Sequence, residues 1–145
     1  MIAKEVNFVQ AKELLKDRDP DSFHIFPVTN PLGLVKWPVT QIHRAAPRFF
    51  MLEDQGKEVA TLTLFKASET VLSLRGIAYT QDVSVDNWKL LFSFAMSNYD
   101  RTGMKKMYTI YKDVDKNIIF GLGFSDISGP HWTNEWKVFL AWKEL

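Results

Sequence analysis

The sequence predicts a single domain of the α/β (α+β) class, and three observations carry that reading. Turn-punctuated alternating runs between Arg48 and Thr80 signal a β-meander, an unbroken helical stripe follows from Trp88 to Tyr99, and alternating runs return near the C-terminus. The chain has 145 residues, 46% hydrophobic and 24% charged, a globular balance within the size of one core. Eleven Phe, five Trp and four Tyr supply bulky core material. A chain of this length buries roughly two thirds of its unfolded surface, so it needs no disulfide or metal staple.

From the N-terminus, Val6–Val9 reads as a short strand or lead-in. A helix follows from about Gln10 to Asp17, with Leu14 and Leu15 inward and Lys12, Glu13 and Lys16 outward. The stretch from about Asp19 to Pro47 holds five of the six prolines, each of which removes a backbone donor. It also carries Phe23, Phe26 and Trp37, which makes it a packed, loop-rich excursion around one short helix near Thr40–Ala46. The meander is Arg48–Asp54, a turn at Gln55-Gly56-Lys57, Glu58–Lys66, a link at Ala67–Thr70, and Val71–Thr80. Gly76 lies inside the third strand, where glycine marks a bulge, a close approach or a bulky neighbour.

Trp88, Leu91, Phe92, Ala95, Met96 and Tyr99 predict a helix over Asp86–Arg101, capped by Ser84 or Asp86 and closed by Gly103. Lys105–Lys112 alternates as a strand. Val114–Leu122 reads as a short helix capped by Asp113 and ended by Gly123-Phe124. Glu135–Lys143 is the last strand, with Trp136, Val138, Leu140 and Trp142 on one face.

Composition narrows function by exclusion. The chain has no cysteine, which rules out disulfides, zinc–thiolate sites and Cys nucleophiles. A net charge of +1 gives no pull toward nucleic acid or an anionic membrane. No stretch approaches the about 18 apolar residues of a span, and the N-terminus lacks a signal-peptide pattern, so the cytoplasm is the expected compartment. Two calcium-loop openings, Asp17-Arg18-Asp19-Pro20-Asp21 and Asp113-Val114-Asp115-Lys116-Asn117, fail at the sixth and twelfth positions. His24, His43 and His131 lack metal-ligand spacing. No hydrolase elbow, phosphate loop or dinucleotide fingerprint occurs.

Ile119-Phe120-Gly121-Leu122-Gly123-Phe124 ends in the Leu-Gly-Phe that commonly closes the second core helix of one enzyme family. With the element order, this segment resembles the GNAT (Gcn5-related) N-acetyltransferases over about Arg48 to Leu145. The resemblance implies a mixed, mostly antiparallel central sheet flanked by helices. It also implies acetyl-CoA as donor and a small-molecule or peptide amine as acceptor, with neither nucleic acid nor membrane as partner and a homodimer as one possible assembly.

In such a fold the pantetheine arm pairs with the strand before the long helix, and the pyrophosphate meets that helix's N-terminus. The resemblance therefore puts cofactor contacts at Ile77, Ala78 and Tyr79, and in the loop Gln81 to Asn87, including Ser84, Val85 and Asp86. The far bank would be Tyr108–Tyr111. This chain departs from the family at two of these places. Asp86 stands where the signature has Gly or Ala, and Ile119 stands where the family commonly has the Tyr that protonates the thiolate. Tyr79 and Tyr111 are candidate replacements for that acid, and Glu53 and His43 are candidate bases. The alternative function is a GNAT-like fold that has lost CoA chemistry and acts as a binding or assembly module.

Overall fold

The computed structural model describes residues 1–15, 43–126, 131–133 and 136–145, of which 14, 15, 131–133 and 136–138 are described as backbone only. Most of the Asp19–Pro47 excursion, with His24 and the first calcium-like segment, lies outside the described residues; 43–45 form one 3-10 turn. The elements run β1 (Ile2–Val6), α1 (Phe8–Leu15), β2 (Arg48–Asp54), β3 (Lys57–Lys66), β4 (Val71–Tyr79), α2 (Val85–Asn98) and β5 (Lys106–Tyr111). A 3-10 turn (Asp113–Asp115) leads into α3 (Lys116–Gly121), then β6 (Ser125–Asp126), β7 (His131–Thr133) and β8 (Trp136–Glu144). Sheet order is β1-β2-β3-β4-β5-β8-β6, with β7 paired to β8. Every pairing is antiparallel except β4 with β5. This is the mixed, mostly antiparallel α/β arrangement expected from the sequence.

Local chemistry explains the boundaries, including those where the expectation was off. Residues Ile2–Val6, not Val6–Val9, form the first strand, and Phe8 and Val9 are already helical. The cause is a reciprocal cap: Gln10 N–H donates to Asn7 Oδ1 at 2.9 Å and Asn7 N–H donates to Gln10 Oε1 at 3.1 Å. Gln55 and Gly56 have φ of 52° and 80° between paired Asp54 and Lys57, a two-residue turn whose twist matches a hairpin.

Ser84 caps α2, its Oγ accepting from Asn87 N–H at 3.2 Å. Trp88, Leu91, Phe92 and Ala95 are its buried stripe, as expected. The helix ends at Asn98, three residues short of Arg101, because Asp100 Oδ1 accepts Thr102 N–H at 3.0 Å and opens a separate turn. Gly103, with φ of 80°, belongs to that turn rather than closing the helix. At α3 Asp113 makes no side-chain cap; it lies inside the 3-10 turn. The α3 C-terminus is a Schellman motif: Phe124 N–H bonds Ile119 O at 3.3 Å and Gly123 N–H bonds Phe120 O at 3.0 Å.

Two layers cover the sheet. Phe50, Leu52, Leu62, Leu64, Leu72 and Leu74 point to α2 and α3 and form the main core with Trp88, Leu91, Ile119 and Leu122. The opposite face packs Phe49, Met51 and Ala78 against Ala11 of α1, and gathers Phe65 and Tyr108 around Ala45. Lys143 ties β8 to the first layer, donating from Nζ to Leu122 O at 2.9 Å with the same group 5.6 Å from the Phe92 ring centre.

Two predictions follow from these contacts. Gly123 has φ of 93°, and a Cβ there would sit 2.5 Å from Lys143 Nζ. Gly123→Ala is therefore expected to lower stability by about 1–2 kcal/mol in urea unfolding, the left-handed cost of a side chain, with part recovered in a Lys143→Met background. Arg48 holds the Glu5 carboxyl below the usual carboxylate range, chiefly through its hydrogen bonds, against an upward push from burial. The stabilisation is present above the ordinary carboxylate pKa and is lost as pH falls through the depressed value. Arg48→Met should flatten that acid limb of the stability curve.

Candidate functional site

Strands β4 and β5 are the sheet's parallel neighbours, and they pair only from Val71↔Lys106 to Leu74↔Thr109. Beyond that point β4 continues to Tyr79 and β5 to Tyr111 without further register partners between them. At the apex Thr109 Oγ1 donates to Leu74 O at 2.9 Å, so a side chain takes the carbonyl of the last paired residue. Gly76 is the bulge that the sequence allowed for. Thr63 pairs with Arg75 and Thr61 with Ala78, so Leu62 faces one residue too many on β4, and Gly76 absorbs it with φ of 67°. The strand therefore bends where its parallel neighbour leaves it.

Because parallel strands need a crossover, α2 begins just after β4, and its N-terminus lies at the split end of the sheet. Ser84 occupies the Asn87 amide. Asp86 does not cap; it stands exposed in the first turn, with Asp82 and Gln81 exposed beside it. A carboxylate in the first turn suits the helix dipole but repels a second anion. Val85 abuts α3, where a Cβ on Gly121 would meet its Cγ1 at 2.5 Å. That glycine lets α3 lie against the start of α2.

The candidate tyrosines flank the split. Tyr79 packs edge-on against buried Trp88 at 6.1 Å and donates its hydroxyl to Asp115 Oδ1 at 3.0 Å. This bond crosses from β4 to the segment that follows β5. Tyr111 stacks on Phe139 at 5.5 Å and donates to Asp126 Oδ2 at 2.9 Å. Burial, then the Asp126 carboxylate, push its pKa above the ordinary phenol range, so it stays protonated at any working pH. Tyr108, assigned to the far bank, pairs with Ser73 inside the zipped portion instead; the bank begins at Ile110. Ile119, at the family's acid position, is fully buried in the core.

The candidate bases are Glu53 and His43. Glu53 is on β2, two strands from β4, with Lys4 Nζ 2.6 Å from its carboxylate. His43 is exposed. Asp115, Asp126 and Thr109 escaped the sequence reading because their roles come from partners 36, 15 and 35 residues away. Among the described residues no group of three or more His, Asp or Glu is placed to hold a metal ion, and no helix is long and apolar enough to cross a membrane.

No family model matches the chain, and no curated protein matches it in sequence. Solved structures do match in shape. FeeM, an N-acyl amino acid synthase from uncultured soil microbes, superposes with a TM-score of 0.67 at 9% identity over 99% of this chain and 95% of its own. An aminoglycoside 6'-acetyltransferase type Ii gives a TM-score of 0.61 at 16% identity, over 99% and 97%. A GNAT family acetyltransferase from Elizabethkingia anophelis, solved with acetyl-CoA bound, gives 0.55 at 11% identity, over 99% and 97%. The chain has the GNAT N-acetyltransferase fold, carried by a sequence far diverged from those of its structural neighbours.

Proposed function

We propose that the protein is an acyl-CoA-dependent N-acyltransferase, with acetyl-CoA the reference donor. One observation carries the reading: β4 leaves its parallel partner after Leu74 and runs on to Tyr79 beside a split that opens at the start of α2. The amide-rich pantetheine arm suits a strand edge, because each of its amides both donates and accepts along an extended chain. Residues Ile77, Ala78 and Tyr79 would hold it. The α2 start fits the pyrophosphate less well, since Ser84 has used one amide and Asp82 and Asp86 add negative charge.

In the reaction an amine nitrogen attacks the thioester carbonyl; the C–N bond forms, the C–S bond breaks, and the amine's surplus proton passes to water or a base. The sulfur leaves as a thiolate and takes a proton. An alkyl thiol with a pKa of about 8.5 is a good leaving group, so the absent hydroxyl at Ile119 costs less than it would for an alkoxide. Tyr79 and Tyr111 are the tyrosines on the two strands beyond the last β4–β5 pair, each held by a carboxylate. Structural neighbours do not choose the acceptor, since one is an N-acyl amino acid synthase and another an aminoglycoside acetyltransferase.

The second reading, a binding or assembly module on the same fold, is favoured by Asp86 and by the buried Ile119. A thermal-shift titration separates the two. Acetyl-CoA at 100 times its Kd should stabilise the protein by about 2.7 kcal/mol. No shift at millimolar acetyl-CoA, together with a second copy or partner protein found by light scattering or pull-down, would favour the module.

A sharper variant follows from the loop. Asp86→Ala should tighten acetyl-CoA binding by about two- to fivefold, a few tenths to one kcal/mol of relieved repulsion, and more so at low salt. The same change should leave acetyl-pantetheine, which lacks the pyrophosphate, unaffected. Equal gains for both ligands would mean that Asp86 does not face the phosphates.

A further inference from the structure

The split is closed at both ends. At the inner end Leu74 pairs with Thr109 and the β4–β5 ladder stops. Continued past that pair, with the one extra residue at the Gly76 bulge, the same register would bring the end of β4 level with the 3-10 turn Asp113–Asp115. There the two banks are joined again, now by side chains: Tyr79 Oη donates to Asp115 Oδ1 at 3.0 Å. Between the two closures lies a window along residues 75–78 of β4, roughly 13 Å long at about 3.3 Å per residue.

The two ends of the outer bond are held differently. The Tyr79 ring packs edge-on at 6.1 Å against Trp88, which is fully buried. Asp115 belongs to a 3-10 turn with no buried residue, and its neighbour Val114 is 74% exposed. Asp115 makes no cap hydrogen bond to α3, so the crossing bond is not a by-product of helix capping. A segment with so little burial opens at small cost, whereas the tyrosine is pinned. The bond also has a side. Trp88 belongs to α2, so the bond crosses on the α2 face, from which a donor's phosphates would reach the start of that helix.

We propose that the Tyr79–Asp115 bond is a gate on the donor site, closed in the free protein and opened when the donor enters. The inference rests on the acyl-transfer reading, because it supposes an arm lying along β4 in the window. Such an arm leads from the window to the start of α2 only across the end of β4, where the bond stands. Donor binding therefore breaks the bond, and apparent affinity falls in proportion to the fraction of molecules that are open.

Stopped-flow and calorimetric binding of acetyl-CoA to the full chain tests the gate without any acceptor. Tyr79→Phe removes the hydroxyl and no charge. It should tighten acetyl-CoA binding about three- to tenfold, mostly through faster association, while lowering the melting point of the ligand-free protein. Asp115→Ala should gain at least as much, since it also removes a carboxylate on the donor's path. Adding Tyr79→Phe to Asp115→Ala should give no further gain, because both break one bond.

A brace that does not gate would lower the melting point in both variants and leave acetyl-CoA affinity unchanged or weaker. That result, or full additivity of the two substitutions, would overturn the inference. Binding by the parent protein with no gain in Tyr79→Phe removes the gate and leaves the acyl-transfer reading standing. No binding by the parent or by either variant removes both. Binding by the variants alone would support a gate that is almost always shut.

Discussion

The hydrogen bonding between β4 and β5 stops after four residue pairs, and the rest of the architecture is arranged around that stop. Backbone N–H and C=O groups inside a sheet need partners, so an interior strand that outruns its neighbour exposes a demand for hydrogen bonds. Two local devices hold the strands apart. Gly76 adopts φ of 67° and bends β4 at the bulge, and the Thr109 hydroxyl takes the Leu74 carbonyl at the apex. Topology then places the other components. A parallel pair requires a crossover, and α2 supplies it, so the helix N-terminus arrives at the open end of the split. The same reasoning brings the start of α3 to the far bank.

Side chains, rather than backbone, join the two banks. Tyr79 reaches from β4 to Asp115, Gly121 seats Val85 between the helices, and Lys143 fastens β8 to the end of α3. These contacts explain why Leu122-Gly123-Phe124 stands where it does. Gly123 satisfies the helix carbonyls in a conformation that a side chain resists, and it leaves space for the Lys143 ammonium. Asp82 and Asp86 stand exposed at the start of α2. In the proposed acyl-transfer reading, donor binding therefore leans on the strand edge more than on the helix terminus.

Much of this was legible in the sequence because local patterns encode it. The 3.6-residue stripe gave Trp88, Leu91, Phe92 and Ala95 as the buried face of α2, and the alternation gave three meander strands to within about two residues. Gly76 could be read as a bulge, though not distinguished from a small residue under a bulky one. The Asn7–Gln10 capping box was present and missed, which displaced the first strand and helix. Gly103 misled because a glycine after a helix suits either a C-terminal cap or a following turn, and the Asp100–Thr102 bond decides it. At the site, Tyr79 and Tyr111 were visible as candidates, but Asp115, Asp126 and Thr109 depend on contacts between segments far apart in the chain. No short-range pattern carries that information.

Amide hydrogen exchange with and without acetyl-CoA addresses the split directly. A thioester arm paired along β4 should slow exchange in the peptide covering residues 75–79 and leave the β2–β3 hairpin unchanged. Unaltered exchange at 75–79 under saturating acetyl-CoA, or protection confined to other parts of the molecule, would contradict a donor site on that strand.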